Sequence, residues 1–269
     1  MQTIPLIILP DEHDPEAAEV LVDGSVAGRP YRFMLDTGAA TTCLTGDEFT
    51  ASLPQVGEKT SSGVFAGGSD DLIRLPSIAL GPIERADFTA ARMPAGARGR
   101  RSLIGMDLLK DHSFHFIFSE DRLLVDPAGP PPGAALQELT LGKRFHPYIS
   151  LSLGGSTTRA VWDTGAGVTV VNLGFIERHP EHFRPAGMSE GTDATGATME
   201  TPMYTLHGLT AGGCSFPPHQ VAGVNLGPVI SQASDPFDMI LGYSTMRHAD
   251  WWFDFPGRQW ALTCTNGAA

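Results

Sequence analysis

Apolar and polar residues alternate in short runs along this chain, and glycine or proline interrupts them every few positions. Residues 20 to 35, "VLVDGSVAGRPYRFML", carry two such runs on either side of Ala27-Gly28. Period-two alternation broken by a Gly-rich turn predicts a strand, a tight hairpin and a second strand. The second strand runs into Asp36-Thr37-Gly38-Ala39, and a β-prone stretch, Thr41-Thr42-Cys43-Leu44, follows. An ionisable Asp at the end of an apolar run is costly to bury unless something uses it. Taken alone, Asp-Thr-Gly is good turn chemistry and needs no further explanation.

The pattern occurs twice, which changes that reading. Residues 147 to 166, "PYISLSLGGSTTRAVWDTGA", repeat the strand, the Gly-rich turn and the second strand, and end in Asp163-Thr164-Gly165-Ala166. Further on, "GMDLLKDHSFHFIF" (residues 105 to 118) aligns without a gap to "GYSTMRHADWWFDF" (residues 242 to 255). Each copy places two apolar residues before the glycine, Leu103-Ile104 and Ile240-Leu241, then a short helical turn and an aromatic strand. The Asp-to-Gly distance is 69 residues in the first copy and 79 in the second. Repetition of this length predicts a tandem duplication. We place the first lobe at residues 1–128, a Pro-rich linker at 129–141 and the second lobe at 142–269.

Composition narrows the function. The 269 residues are 42% hydrophobic, with 31 Gly and 21 Pro, a turn-rich globular mixture that favours short strands over long helices. Thirty acidic against 18 basic residues leave a net charge of −12, which argues against a nucleic-acid partner. The Arg-over-Lys bias, with much Ala and Gly, suggests a GC-rich bacterial source. Three widely spaced cysteines, Cys43, Cys214 and Cys264, indicate no disulfide framework and no CxxC site. The apolar stretch of "MQTIPLIILPDEHD" lacks a basic n-region and is too short for a membrane span. As written, the chain reads as cytoplasmic; a leader removed before Met1 would make it periplasmic or secreted.

Apolar-apolar-Asp-Thr-Gly-Ala followed later by apolar-apolar-Gly, twice in one chain, resembles the signature of the aspartic peptidases. The Ala after each Asp-Thr-Gly and the "LIGMDLL" stretch are closer to the retropepsin-like branch than to pepsin. The chain looks like a retropepsin dimer fused into one polypeptide. The resemblance implies an all-β, bilobal fold, a cleft between the lobes and one catalytic Asp from each, Asp36 and Asp163. It implies that Thr37 and Thr164 hydrogen-bond across the lobe junction, that Gly38 and Gly165 allow close approach, and that Ala39 and Ala166 complete the loops. A monomer with both half-sites on one chain follows, as does a peptide or protein substrate, with no metal or other cofactor.

Two carboxylates brought together at such a junction cannot both ionise cheaply, so they share one proton. The ionised member activates a water and the protonated one polarises the scissile carbonyl. Ala39 and Ala166 lack the hydroxyl that would favour the charged form, which predicts a pH optimum nearer weakly acidic to neutral. Two stretches read as flaps over the cleft: "GVFAGGSDD", with Phe65, Ala66, Gly67 and Gly68, and "TDATGATME", with Ala194, Thr195 and Gly196. Two departures stand out: Ala40 and Gly167 replace the acid that follows the motif in viral enzymes, and Met106 and Tyr243 replace the Arg after the downstream Gly. Histidine pairs at HxxH spacing (His112/His115 and His179/His182) lack the Glu and third ligand of a metal site. Cys43 and the aromatic run Trp251, Trp252, Phe253 and Phe255 read as core. The reading is an aspartic endopeptidase acting on extended, largely apolar segments; the alternative is a non-enzymatic peptide-binding or scaffold protein on the same fold.

Overall fold

A computed structural model describes residues 2–12, 14–62, 67–95, 101–192, 197–233 and 235–265. The first alternating run forms strands Ala18–Val26 and Arg29–Leu35, paired antiparallel around Ala27-Gly28. Both turn residues have positive φ, 48° and 75°, which suits a primed turn whose twist matches the strands. In the second half, strands Pro147–Leu153 and Ser156–Trp162 turn at Gly154-Gly155, with φ of 57° and 85°. The turn is the same in both halves, although one uses Ala-Gly and the other Gly-Gly.

Each apolar-apolar pair before a glycine is a short central strand. Leu103–Ile104 pairs parallel with the strand leading to Asp36, setting Leu35 beside Ile104. Met239–Leu241 pairs parallel with the strand leading to Asp163, setting Trp162 beside Leu241. Strands covered on both faces are apolar without alternation, which is what these two short strands show. Around them, an eight-stranded sheet forms in the first half and a ten-stranded sheet in the second, among the described residues. The fold is all-β, as the sequence predicts.

A six-stranded sheet joins the halves, in the order Gln2–Pro5, Arg122–Val125, Ser113–Ile117, Ala249–Asp254, Gln259–Cys264, Gln137–Glu138. At its centre, Phe114 lies opposite Phe253 and Phe116 opposite Trp251. Under the repeat alignment Phe114 corresponds to Trp251 and Phe116 to Phe253. The pairing is therefore self-complementary, the mark of a twofold relation between the halves. The aromatic strands are core, with Trp251 and Phe253 fully buried and Trp252 and Phe255 nearly so. Trp162, next to Asp163, packs against Phe116 at 4.7 Å and Phe253 at 4.4 Å, giving the site a rigid aromatic floor.

Two features depart from the sequence reading. Cys214 and Cys264 form a disulfide, where the cysteine spacing indicated no disulfide framework. The hairpin ending in Cys214–Ser215 lies beside strand Gln259–Cys264, and a Cα separation of 5.6 Å suits a bridge across 50 residues of sequence. Cys43 is buried outside that bridge. Within the Pro-rich 129–141 stretch, Gln137–Glu138 pairs with Gln259 and Trp260, and Thr140–Leu141 pairs with Pro147 and Tyr148. Buried Leu139 anchors this part, so the extended spacer is its Pro-rich beginning. Among the described residues, no helix is long and apolar enough to cross a membrane.

Candidate active site

The two Asp-Thr-Gly-Ala turns close in the same way. The Asp36 amide donates to the Ile104 carbonyl and the Asp163 amide to the Leu241 carbonyl, both at 3.0 Å. Met106 and Tyr243 then donate their amides to the carbonyls of Ala39 and Ala166, each at 2.8 Å. This contact explains the downstream glycines. A Cβ at Gly105 would stand 2.8 Å from the Ala39 carbonyl oxygen, and one at Gly242 would stand 2.6 Å from that of Ala166. Met106 and Tyr243 therefore serve the loop through their backbone amides, a role indifferent to the absent Arg.

The structure brings Asp36 and Asp163 together at the junction of the halves. Thr37 and Thr164 interlock beneath them. Each Thr amide donates to the other's hydroxyl at 3.1 Å, and the Thr37 hydroxyl donates to the Trp162 carbonyl at 2.7 Å. Both threonines are buried, where unpaired polar groups would be costly, so the reciprocal bonds hold the loops in one arrangement. Gly38 and Gly165 each lie against the carboxylate of the other half. A Cβ on Gly38 would come within 2.5 Å of every Asp163 carboxylate atom, and one on Gly165 would stand 2.5 Å from the Asp36 carboxyl carbon. A side chain at either position would force the two carboxylates apart.

The pair is not electrically symmetric. Burial raises the Asp36 carboxyl well above its ordinary value, and the neighbouring Asp163 charge raises it further; the amides of Ala39 and Gly38 oppose the shift. Burial also raises Asp163, but the Gly165 amide, the hydrogen bond from Asp36 and the Gly38 amide all favour its charged form. The distances agree: Gly165 and Gly38 donate to Asp163 Oδ1 at 2.9 and 3.2 Å. Asp36 is buried, whereas Asp163 is partly accessible. Both carboxyls are raised, Asp36 the more strongly, so the pair titrates as one coupled unit.

A supporting layer was not singled out from the sequence. Thr42 donates its amide and its hydroxyl to Asp107, at 2.9 and 2.7 Å, and accepts from the Gly105 amide at 3.1 Å. In the second half, Thr169 donates its amide to Ser244 at 3.0 Å and accepts from the Gly242 amide at 3.0 Å. Its hydroxyl also bonds Thr245, which bonds His219 Nε2 at 2.7 Å. A Thr six residues after each Asp was the available signal.

Of the residues read as flaps, Gly67 and Gly68 pair with Ser62 and Ser61 in a hairpin whose arms are Gln55–Ser62 and Gly67–Leu80. Phe65, Ala66, Ala194, Thr195 and Gly196 lie outside the described residues. The second pair of arms is Phe183–Thr192 with Thr198–Leu206. The histidines at HxxH spacing make local bonds, His112 Nδ1 to Asp126 at 2.9 Å and His182 Nδ1 to the His207 carbonyl at 3.2 Å.

Fold and site together define a protein of the aspartic-peptidase class. Residues 22–111, which span Asp36, Thr42 and Asp107, match the family described as gag-polyprotein putative aspartyl protease. The match covers the first half's site residues and supports an aspartic-peptidase family and a protease-type function. No curated protein matches it.

Proposed function

We propose that the protein is an aspartic endopeptidase that hydrolyses extended, largely apolar peptide segments as a monomer, using water activated between Asp36 and Asp163. The observation that carries this reading is the meeting of two carboxylates, one from each repeat, held by reciprocal threonines at the junction of the halves. Water bound between the carboxylates gives a proton to Asp163 as its oxygen attacks the scissile carbonyl carbon. Asp36 gives its proton to the carbonyl oxygen, which becomes a hydroxyl of a tetrahedral diol. Collapse of the diol returns one hydroxyl proton to Asp36 as the new carbonyl forms and the C–N bond breaks, and the proton taken from water passes from Asp163 to the leaving amine. The extended arms of the two hairpins offer backbone groups to a substrate in strand conformation.

The test is cleavage of a diverse peptide library from pH 3 to 8, read by mass spectrometry, with and without pepstatin. Wild type is run beside Asp36→Asn and Asp163→Asn. Cleavage by wild type that pepstatin blocks and both substitutions abolish is the expected result, with a weakly acidic to neutral optimum. Full activity in either variant overturns the shared-dyad mechanism. A sharp maximum below about pH 3 contradicts the effect assigned to Ala39 and Ala166. No cleavage at any pH, with peptide binding retained, favours a binding module.

A further inference from the structure

The two hairpins have corresponding registers but carry different chemistry. Each has an irregularity at the same place, between Gln55 and Gly57 in the first and between Pro185 and Gly187 in the second. Beyond it, Gly57 pairs with Leu72 and Gly187 with Met203. One pleat nearer the tip, Lys59 pairs with Asp70 in the first hairpin, and Ser189 with Thr201 in the second. The next pair in the second hairpin is Gly191 and Met199, the latter half exposed. Charge occupies this face of one hairpin, and hydroxyls and a thioether occupy the other.

The face bearing Lys59 is turned toward the site. Leu72 packs against a cluster of Cys43, Ala91, Met93 and Leu103 that also takes in Ala39, a member of the Asp36 loop. Residues two apart on a strand share a face, so Lys59 projects on the same side as Gly57, nearer the tip. It is half-buried and interacts electrostatically with Cys43, Asp107, Asp70 and Arg144. Arg144 arrives from the second half, in a turn closed by the Gly142 amide donating to the His146 carbonyl at 3.0 Å. That turn docks on the first half through Phe145, whose ring lies 5.1 Å from Lys110 Nζ at the end of the helical turn carrying Asp107. His146 lies within the field of both Arg144 and Lys59, and burial together with those two charges holds its imidazole toward the neutral form, so it joins the group as a hydrogen-bonding ring.

Cationic side chains from both halves thus converge next to the Asp36 loop, in a protein of net charge −12. Ala40 leaves that loop without the acid that would compete for them. A purely structural Lys59, paired with Asp70 and Asp107, is the rival explanation. Against it, burial depresses the Lys59 ammonium even though Cys43, Asp107 and Asp70 all favour its charge, which leaves that charge incompletely compensated. A further carboxylate would stabilise it.

We propose, on the proteolytic reading above, that Lys59 with Arg144 and His146 forms a subsite for an acidic substrate side chain. Cleavage then favours peptides carrying Glu or Asp at one position under the first hairpin, while the second hairpin, with Met199, accepts apolar side chains. The test takes a peptide that the wild type cleaves and places Glu or Gln in turn at each of the flanking positions. At one position kcat/KM favours Glu by about tenfold at low salt, the size of one charge-assisted hydrogen bond. Lys59→Met removes the preference, Lys59→Glu turns it toward Lys, and Arg144→Ser, at an exposed site, reduces it. A second arm needs no turnover: a randomised octapeptide pool is captured on immobilised Asp163→Asn protein with Lys59 intact or replaced by Met. Retained peptides are enriched in Glu over Gln only when Lys59 is present. Absence of any Glu preference, or a preference that survives Lys59→Met, overturns the subsite. Lys59-dependent capture without cleavage by wild type leaves the subsite standing and defeats the proteolytic reading.

Discussion

At the residue scale, the shared proton has a consequence for stability as well as chemistry. Asp36 is raised in the folded protein from an unfolded value near 3.8, so above that pH the native state binds more proton than the unfolded chain. Stability contributed by this group is present at acid pH and is lost as pH rises from 3.8 toward the raised folded value. Asn carries no titrating proton and leaves Asp163 as the lone charge. Asp36→Asn should therefore abolish cleavage yet raise the melting temperature at pH 8 by about 2–4 °C, equivalent to about 1 kcal/mol, with little gain at pH 4. Scanning calorimetry of both proteins at the two pH values checks this; an equal shift at both pH values would disprove the linkage. Much of the site was legible at this scale. Asp, Thr, Gly and Ala at 36–39 and 163–166 are local and repeated, and their close approach follows from the repetition. The inequality of the two carboxyls was not legible, because the amides of Gly38 and Gly165 both donate to Asp163, a matter of tertiary geometry.

At the element scale, alternation and turn chemistry forecast the hairpins around Gly28 and Gly155, since φ > 0 at a primed turn is a local demand. The disulfide was not forecast. Cys214 and Cys264 are separated by 50 residues, and what makes them neighbours is the docking of one short hairpin against strand Gln259–Cys264. The strand at Gln137–Glu138 was likewise concealed, because its partner is that same remote strand. The bridge restrains the unfolded chain, so its loss should be felt throughout the molecule. Cys214→Ser is expected to lower unfolding free energy by about 2–4 kcal/mol in oxidising buffer. In dithiothreitol the variant and wild type should converge, because both then lack the bond. Urea titration under the two conditions reads the difference; a gap of equal size in reducing buffer would assign the effect to packing at Cys214 instead.

At the scale of the whole molecule, the halves are joined by more than a cleft. Ser113–Ile117 and Ala249–Asp254, equivalent strands of the two repeats, pair at the centre of a sheet to which residues near the chain start and Gln137–Glu138 of the linker stretch add further strands. Trp162 reaches from the second half to Phe116 of the first, and Glu16 near the chain start accepts from the Gln220 amide at 2.7 Å. Separating the halves would expose fully buried aromatic rings and break the central ladder as well as the threonine interlock. Each half thus lacks a closed core without the other, and the cost of opening the junction falls on both. Thermal unfolding should accordingly be a single transition, with calorimetric and van't Hoff enthalpies that agree near about 190 kcal/mol for a chain of 269 residues. Two resolved transitions, or a van't Hoff enthalpy near half the calorimetric value, would mean that the lobes melt independently. The same coupling bears on catalysis, since a carboxylate pair shared between independently melting lobes would lose its geometry whenever either opened. Cleavage activity should therefore disappear over the same temperature interval as the calorimetric transition, and loss of activity well below it would locate the weak point in the two long hairpins, residues 55–80 and 183–206.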